Sequence, residues 1–424
     1  MKVAVIGGGY VGLVTGAGLA SLGHEVKVGE ADPGRVELLS GGGVPIYEEG
    51  LPELLSHAIA ESRLTFHSSN LDAVDSADFI FLCLPTPEGE DGRADLSFVN
   101  SVIDELANVV IEDSVFVIKS TVPPGTVASL RKRLADLGSP AHVVSHPEFL
   151  REGRAVADFL SPDRIVIGSW DEPVARDVAG LYSSIDTKVV MTDPTSAEMI
   201  KYASNAYLAA RLTFVNTLAN VAEAVGADIL DVVSGMGLDH RIGPHFLKPG
   251  PGYGGSCFPK DTAALISVAE DAGYEFDLLR AVIVADEEQR KRVAEKVRQA
   301  AGGGLRGRQI GLWGLAFKAG TDDVRESPAV RIANLLMDDG AEVYAYDPEA
   351  TAPGLRMVAS PLDAARGSDV LLVATEWPEF AEVDLNQVAS VMKGHRVVDT
   401  RNLLDPLAVR SAGLDYWGFG RPGA

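Results

Sequence analysis

The sequence predicts an α/β protein in which two parallel-sheet domains flank a central helical domain. Short apolar runs alternate with helical patterns over roughly the first 190 residues, which indicates a parallel sheet covered on both faces. Residues Thr195 to Val225 contain neither glycine nor proline and have apolar residues at helical spacing, which predicts one long helix. After Gly302-Gly303-Gly304 the first pattern returns, so the same kind of domain occurs twice.

The elements of the first two domains can be placed in order. The predicted strands are Lys2–Ile6, Glu25–Val28, Phe79–Leu84, Val115–Lys119, His142–Ser145, Ile165–Gly168 and Lys188–Met191. Helical patterns run from Asp261 to Ala300 after the long helix, with an interruption at Gly273. We therefore expect domains at residues 1–194, 195–300 and 301–424.

The last domain repeats features of the first. Residues Leu22–Val28 are echoed by Asp339–Ala345, and Ser76–Leu82 by Ser368–Val373. The helical middle domain is a natural candidate for a connector and for a homodimer interface. The final residues, Gly420–Ala424, have the composition of a loose tail.

Composition and charge exclude several classes of function. The formal net charge is −23, which disfavours nucleic acid and anionic membranes as partners. The first residues run straight into a strand, without the apolar core of a secretory signal, so we expect a cytoplasmic protein. The histidines show no metal-site spacing, so no metal is implied.

A dinucleotide-binding turn opens the chain. Gly7-Gly8-Gly9-Tyr10-Val11-Gly12 fits the G-x-G-x-x-G fingerprint, follows a strand and starts a helix, as in Rossmann-like domains. Glu30 ends the second strand, where an acid binds ribose hydroxyls and repels a 2′-phosphate. NAD is therefore favoured over NADP, although Arg35 could soften that preference; FAD remains the rival cofactor.

The candidate nucleophile lies in a glycine-rich loop, Phe246–Asp261. Cys257 stands at the end of this loop, just before a helix that we expect to begin near Asp261. The helix dipole and the adjacent Lys260 both favour a thiolate there. Cys83 lies instead inside an apolar strand and is expected to be inert core.

This loop resembles the active-site loop of the UDP-glucose/GDP-mannose dehydrogenase family, and of its UDP-glucose 6-dehydrogenases in particular. The matching residues are Gly252–Asp261. Further family-like segments, in the family order, are Pro45–Glu48, Lys119–Pro123, Pro147–Gly153, Lys201–Asn205 and Ala316–Lys318. The resemblance covers nearly the whole chain.

The resemblance implies two successive hydride transfers to NAD and a covalent intermediate on Cys257. It implies that Lys201 and Asn205 stabilise an oxyanion and that Asp261 acts as a base or holds water. Thr121 and Glu148 would position that water, and Glu148 would activate it. His146 departs from the family pattern, which often has Asn before the proline that is Pro147 here.

The resemblance also implies binding residues and a UDP-sugar-binding third domain. The substrate would contact Glu148, Phe149, Leu150, Arg151, Glu152, Lys201, Asn205, Arg241, Phe246, Leu247, Lys248, Pro249, Gly250, Gly254 and Lys318. The cofactor would contact Thr86, Thr121, Glu152, Lys260 and Arg325 besides the glycine turn. Arg241 matches a family arginine that reaches into the neighbouring subunit's sugar site.

Several alternatives remain open from the residues. Ser256 stands where enzymes for acetylamino sugars usually have His, and Phe258 where GDP-mannose enzymes tend to have Leu, which favours UDP-glucose. GDP-mannose or another UDP-hexose remains possible as substrate. Two other classes are a two-electron hydroxyacid dehydrogenase, which would not need Cys257, and a non-catalytic nucleotide-sugar binder, which would be expected to lack some of the catalytic residues.

Overall fold

The computed structural model describes residues 1–89 and 92–421. The chain forms two compact units. The first comprises residues 1–204 and 263–273, and the second comprises residues 205–262 and 274–424. The boundaries predicted at 194/195 and 300/301 stay predictions.

The first unit is built on an eight-stranded sheet in the order β3-β2-β1-β4-β5-β6-β7-β8. Its strands are β1 (Lys2–Ile6), β2 (Glu25–Gly29), β3 (Leu64–His67), β4 (Phe79–Leu82), β5 (Val115–Ile118), β6 (His142–Ser145), β7 (Ile165–Gly168) and β8 (Val189–Thr192). Neighbouring strands are parallel except β6 and β7, which meet antiparallel at Ser145 and Gly168. The sheet that was predicted to be parallel therefore contains one antiparallel strand pair.

Helices cover both faces of this sheet. They are α1 (Tyr10–Ser21), α2 (Pro33–Ser40), α3 (Leu51–Ala60), α4 (Asn70–Val74), α5 (Ser97–Leu106), α6 (Thr126–Asp136), α7 (Ala155–Leu160) and α8 (Glu172–Gly180). The central strands β4 and β5 are buried along their whole length, as continuous apolar runs require in a sheet covered twice. No strand was predicted at β3, because Leu64–His67 alternates buried and more exposed residues instead of forming a continuous apolar run.

The helical middle follows the prediction closely. The long helix α9 runs from Pro194 to Val225 and has 32 residues. It is followed by α10 (Ile229–Gly237), α11 (Phe258–Asp271) and α12 (Asp277–Ala300). No helix within the described residues is long and apolar enough to span a membrane.

The second unit contains a six-stranded parallel sheet in the order β11-β10-β9-β12-β13-β14. Its strands are β9 (Gln309–Trp313), β10 (Glu342–Tyr346), β11 (Arg356–Met357), β12 (Val370–Val373), β13 (Arg396–Asp399) and β14 (Asp415–Gly418). Its helices are α13 (Pro328–Asp338), α14 (Pro361–Ala365), α15 (Pro378–Glu382), α16 (Leu385–Val391) and α17 (Pro406–Ser411). With two Rossmann-like sheets and a long central helix, the predicted fold class is confirmed.

The prediction of a loose tail at Gly420–Ala424 is wrong for Gly420 and Arg421. The amide of Gly420 donates to the Glu223 carboxylate, and its carbonyl accepts from the Ile229 amide. The Arg421 guanidinium lies 3.0 Å from the Asp228 carboxylate. These contacts hold the chain end against α9 and α10; residues 422–424 lie outside the described residues.

Candidate active site

The glycine turn after β1 has the geometry that a pyrophosphate needs. Gly7 has a φ of +107°, and a Cβ there would lie 2.5 Å from the Cys83 carbonyl oxygen. A Cβ on Gly12 would lie 1.8 Å from the Gly7 carbonyl oxygen, whereas Gly9 faces open space at the start of α1. Tyr10 and Val11 form the first turn of that helix, whose free amides favour an anion. The turn therefore fits a dinucleotide.

Glu30 follows β2 and sits beside this turn. A Cβ added to Gly8 would lie 2.7 Å from a Glu30 carboxylate oxygen, so the acid packs directly on the glycine turn. Arg35 lies 4.0 Å from that carboxylate and donates to the Gly8 carbonyl at 2.9 Å. Because Arg35 is already paired with Glu30 and the backbone, its position agrees with a site for NAD.

Thr86 and Thr121 come together at the ends of two neighbouring strands. The Thr86 hydroxyl donates to the Thr121 carbonyl at 2.9 Å. Just beyond Thr121, the buried Glu198 of α9 accepts from the amides of Gly125 and Val127 at the start of α6. Burial raises the pKa of Glu198 to about 7 although both amides oppose it. Glu198 was missed from sequence and ties α9 to the segment that carries Thr121.

The segment after β6 carries an ion pair whose two side chains are both buried. The Lys201 ammonium on α9 lies 2.8 Å from the Glu148 carboxylate, and both side chains are buried. The other carboxylate oxygen of Glu148 accepts from the Leu150 amide at 2.6 Å. Burial alone raises the pKa of Glu148, but the Lys201 ammonium and this amide outweigh it and hold the pKa below its ordinary value. Glu148 is therefore a carboxylate at neutral pH.

The residues that follow Glu148, from Phe149 to Ala155, are held by contacts at both ends of the segment. The Phe149 ring lies under the Arg164 guanidinium at 3.7 Å, while Arg151 is exposed and pairs with Asp158. At the far end, beyond Glu152, the buried Glu48 accepts from the amides of Gly153 and Ala155 at 2.6 Å.

Glu48 also accepts a hydrogen bond from the Tyr10 hydroxyl at the start of α1. It therefore connects the glycine turn to the segment after β6. No role was predicted for Glu48, although the family-like run Pro45–Glu48 was a signal.

A second cluster of polar side chains, mostly buried, lies in the second unit. The Asn205 amide nitrogen donates to the Asp261 carboxylate at 2.6 Å, and Lys260 binds the other oxygen of that carboxylate at 2.7 Å. Asn205 and Asp261 are both buried, while Lys260 is partly exposed. The structure brings Asn205, Lys260 and Asp261 together, and their predicted roles in stabilising an oxyanion, contacting the cofactor and acting as a base or holding water stay predictions.

Cys257 lies at the N-terminus of α11. Its carbonyl accepts from the Asp261 amide at 2.9 Å, which makes Cys257 the residue before the helix, and the helix begins at Phe258 rather than near Asp261. The Ser256 hydroxyl lies 3.6 Å from the Cys257 sulfur. Cys83 is buried, and burial raises the pKa of its thiol to about 12, as the prediction of inert core requires.

Buried side chains from α9 and α12 hold the loop that leads to Cys257. Asn216 accepts from the Gly250 amide at 2.8 Å, and Gln289 donates to the Gly250 carbonyl at 2.9 Å. Asp286 accepts from the Tyr253 amide at 2.9 Å and pairs with Arg290 at 2.6 Å. Burial raises the pKa of Asp286 to about 6, opposed mainly by Arg290.

The residues predicted to hold the nucleotide end lie around the same loop. Phe246 has a φ of +57°, Leu247, Pro249 and Gly250 are buried, and Lys248 is exposed. A Cβ on Gly254 would lie 2.5 Å from the Glu326 carbonyl oxygen and 3.1 Å from Phe317, the neighbour of Lys318.

Arg401 was missed from sequence. A Cβ on Gly250 would lie 2.9 Å from its guanidinium, which also donates to the carbonyls of Phe317 and Ala374. Arg401 therefore lies among the residues predicted to bind the nucleotide.

Two predicted binding arginines are on the surface. Arg241 is paired with Asp239 at 2.6 Å, and Arg325 with Asp323 at 2.6 Å. Their side chains are 78% and 64% exposed. Their predicted contacts with a neighbouring subunit and with the cofactor stay predictions.

The two thiols should differ sharply in reactivity. At neutral pH, iodoacetamide should modify Cys257 in the folded protein and leave Cys83 untouched, because only thiolates react readily and the buried Cys83 stays protonated below a pKa of about 12. Mass spectrometry of the peptides measures this, and both cysteines should react in urea. The Cys257→Ser variant should take up no label when folded. Labelling of Cys83 in the folded protein would contradict the assignment.

Comparison with known proteins agrees along the whole chain. Residues 1–186, 195–288 and 311–406 match the NAD binding, central and UDP binding domains of the UDP-glucose/GDP-mannose dehydrogenase family. A UDP-glucose 6-dehydrogenase of Rhizobium meliloti (strain 1021) is 42% identical over 436 residues, covering 100% of both chains. The structure of a UDP-glucose dehydrogenase from Pyrobaculum islandicum has a TM-score of 0.92 at 38% identity, covering 99% of this chain and 97% of that one.

A more distant structure has a different sugar in its name. The UDP-D-ManNAc dehydrogenase of Pyrococcus horikoshii has a TM-score of 0.90 at 26% identity, covering 100% of each chain. The matched NAD binding domain confirms the predicted cofactor. From its three matched domains and its full-length relatives, the chain belongs to the UDP-glucose/GDP-mannose dehydrogenase family.

Proposed function

We propose that this protein oxidises the C6 alcohol of UDP-glucose to the carboxylate of UDP-glucuronate, with two NAD molecules reduced per sugar. The observation that carries the proposal is Cys257, placed at the N-terminus of α11 at the end of a loop held by buried side chains. A single oxidation to the aldehyde would need no thiol there. The named activity of the full-length relatives supports the same substrate.

The first oxidation needs a base for the hydroxyl proton. Bound NAD supplies the hydride acceptor in each of the two oxidation steps. Asp261, through its carboxylate or a water bound to it, is the proposed base, and Asn205 and Lys260 fix its two oxygens. The product at C6 is an aldehyde.

The aldehyde is then captured on sulfur. The Cys257 thiolate adds to the aldehyde carbon, and the carbonyl oxygen becomes the oxyanion of a thiohemiacetal. Lys201 and Asn205 lie four residues apart on α9 and supply an ammonium and an amide for this negative charge. Loss of hydride from C6 converts the adduct to a thioester. Covalent attachment keeps the aldehyde from leaving between the two oxidations.

Water completes the reaction by hydrolysing the thioester. Glu148, held as a carboxylate by Lys201, is the proposed base for that water, and Thr121 is proposed to help position it. Water adds to the thioester carbon, the thiolate of Cys257 leaves, and the sugar departs as a carboxylate. Each turnover therefore restores the nucleophile.

Binding of the UDP-sugar is proposed to involve residues from several elements. They are Glu148–Glu152, Phe246–Gly250, Gly254, Lys318 and, from the geometry, Arg401. The family's UDP binding domain over residues 311–406 contains both Lys318 and Arg401. The buried Gly250 backbone and the adjacent guanidinium are suited to a nucleotide diphosphate.

The sugar itself is the least constrained part of the proposal. GDP-mannose and other UDP-hexoses remain the alternative substrates, because related dehydrogenases with other sugars in their names share the fold. A two-electron hydroxyacid dehydrogenase is disfavoured because it would leave Cys257 and the UDP binding domain without a role. A non-catalytic binder is disfavoured because all the proposed catalytic residues are present.

Substitution of the nucleophile separates these functions. Cys257→Ser should lower kcat for UDP-glucose oxidation by about 1,000-fold or more while leaving UDP-glucose affinity within a few-fold, because the serine retains shape but not a thiolate. NADH absorbance and calorimetry measure the two quantities, with Cys83→Ser as the matched control that keeps activity. Unchanged turnover by Cys257→Ser would indicate a two-electron enzyme. Faster wild-type turnover of GDP-mannose would reassign the sugar.

We also propose that the protein is a homodimer. Tyr207, Phe214 and Val221 recur every seven residues along one face of α9, and their exposed fractions are 63%, 58% and 51%. An apolar stripe at coiled-coil spacing on a helix of 32 residues is suited to the same stripe on a second copy. We retain the cytoplasm as the proposed location, since Cys83 and Cys257 are not joined in a disulfide.

The proposed role of the apolar stripe on α9 in dimer formation can be tested directly. Replacing Tyr207 and Phe214 together by Ser should convert the dimer to a monomer in light scattering, because it removes most of the apolar area of the stripe. Leu407→Ser on α17 is the control, since Leu407 is 70% exposed but lies outside the stripe. A wild-type monomer, or a double variant that remains dimeric, would contradict the proposal.

A further inference from the structure

A cavity of about 70 Å³ lies beside the segment that follows β6 in the first unit. Its lining includes Lys119 after β5, His146 after β6 and Arg164 before β7. Neither Glu148 nor Lys201 is among the described residues that line it. At about 10–15 Å³ for one water molecule, the cavity has room for roughly five groups of that size, which is enough for the oxygens of a phosphate ion.

His146 offers a single acceptor to two donors. Its Nδ1 lies 2.7 Å from the Val166 carbonyl oxygen, which only accepts, so Nδ1 carries the proton. Its Nε2 is then an acceptor, and it lies 3.2 Å from the Lys119 ammonium and 2.9 Å from the Tyr182 hydroxyl. Burial and the Lys119 charge both lower the pKa of His146 well below its ordinary value, so the ring is neutral. One lone pair on Nε2 therefore has to serve both donors.

The Lys119 ammonium has more N–H groups than the protein offers it acceptors. An ammonium carries three N–H groups, and His146 is the one acceptor that Lys119 reaches within the described residues. The side chain is 5% exposed. Burial lowers the pKa of Lys119 to about 8, which leaves it a cation at neutral pH. The remaining N–H groups are therefore available to a ligand in the cavity, and such a ligand would relieve the cost of buried donors without acceptors.

Arg164 brings a second cation to the cavity. Its guanidinium lies over the Phe149 ring, 3.7 Å from the ring centre, and the residue is partly buried. Within residues 1–89 and 92–421, this guanidinium forms no ion pair and no hydrogen bond. Because the ring covers only one face of the guanidinium, the N–H groups at its edge remain available for an acceptor.

The charged side chains that line the cavity do not cancel. The cations are Lys119, Arg151 and Arg164, and the carboxylates are Asp158 and Asp163, while His146 and Tyr182 are neutral. Arg151 forms an ion pair with Asp158. Burial lowers the pKa of Arg164, and the exposed Asp163 carboxylate opposes this. One positive charge is therefore in excess on the lining, and a buried charge without a partner destabilises the fold.

We propose that this cavity is a binding site for a small oxyanion, a phosphate or a carboxylate, held by Lys119 and Arg164. The ammonium is a point charge, and the planar guanidinium matches two oxygens of such an anion. The formal net charge of the chain is −23, which disfavours general adsorption of anions, so binding requires a local excess of positive charge of this kind. The inference does not depend on oxidation of UDP-glucose.

Equilibrium dialysis with radioactive inorganic phosphate tests the site on the full chain. The protein is saturated with NADH and UDP-glucose, which fill the proposed nucleotide sites and cannot react, because no oxidised cofactor is present. One phosphate per chain should bind at concentrations up to about 10 mM, ten times a Kd of about 1 mM. Radioactive acetate is dialysed in the same way. Binding of phosphate alone would identify a phosphate site, and binding of acetate would extend the site to carboxylates.

Two variants locate the bound anion. Lys119→Met and Arg164→Gln should each weaken binding about tenfold or more, because each removes a charged donor. Lys132→Met, at an exposed position on α6, is the matched control and should bind as the wild type does. The two substitutions lie on different segments, so that one variant still tests the site if the other does not fold.

Three results would overturn the inference. They are a wild type that binds neither phosphate nor acetate, undiminished binding by the folded variants, and binding that disappears when UDP-glucose is added, since the cavity would then be part of the sugar site. Dialysis requires no turnover. Absence of NADH formation from NAD and UDP-glucose would instead count against the proposed function, so the two failures are distinguished.

Discussion

A buried loop without regular secondary structure has to find partners for its own amides and carbonyls, and this constraint shapes the second unit. The residues from Pro249 to Gly255 are largely buried between helices and the C-terminal sheet. Their backbone groups cannot reach water, and an unpaired one costs about 1 to 3 kcal/mol. Polar side chains on α9 and α12 satisfy them, which explains the buried Asn216, Asp286 and Gln289 inside otherwise amphipathic helices. The same contacts fix the path of the chain into Cys257.

The first unit contains buried carboxylates, which need partners to remain charged inside the protein. Glu148 is buried beside Lys201, and its second oxygen is bound by a backbone amide. A lone buried carboxylate would take up a proton, whereas the paired one stays charged and can act as a base. Glu48 and Glu198 are buried in the same unit, where each accepts two backbone amides. The carboxylates thus fix the segments that carry Tyr10, Thr121 and Glu148.

Local patterns were enough to predict the glycine turn, the extent of α9 and the burial of Cys83. Each of these depends on residues close together in sequence. Glu48 and Arg401 were missed because their partners lie far along the chain; Glu48, for example, binds the amide of a residue 105 positions away. Asp286, Gln289 and Arg290 were missed for another reason: they belong to the polar run Asp286–Arg292 of α12, which is typical of a solvent-exposed helix face. The antiparallel pairing of β6 with β7 could not be predicted from the sequence. Antiparallel and parallel strands have the same apolar pattern when both faces of the sheet are covered.

In the proposed mechanism one sugar is oxidised twice before it leaves, and the yield of NADH at limiting UDP-glucose tests this most directly. Two NADH per UDP-glucose consumed are expected, since the aldehyde would stay bound to Cys257 until the thioester is hydrolysed. A yield of one NADH, with free aldehyde in solution, would contradict the covalent role of Cys257 and the function built on it.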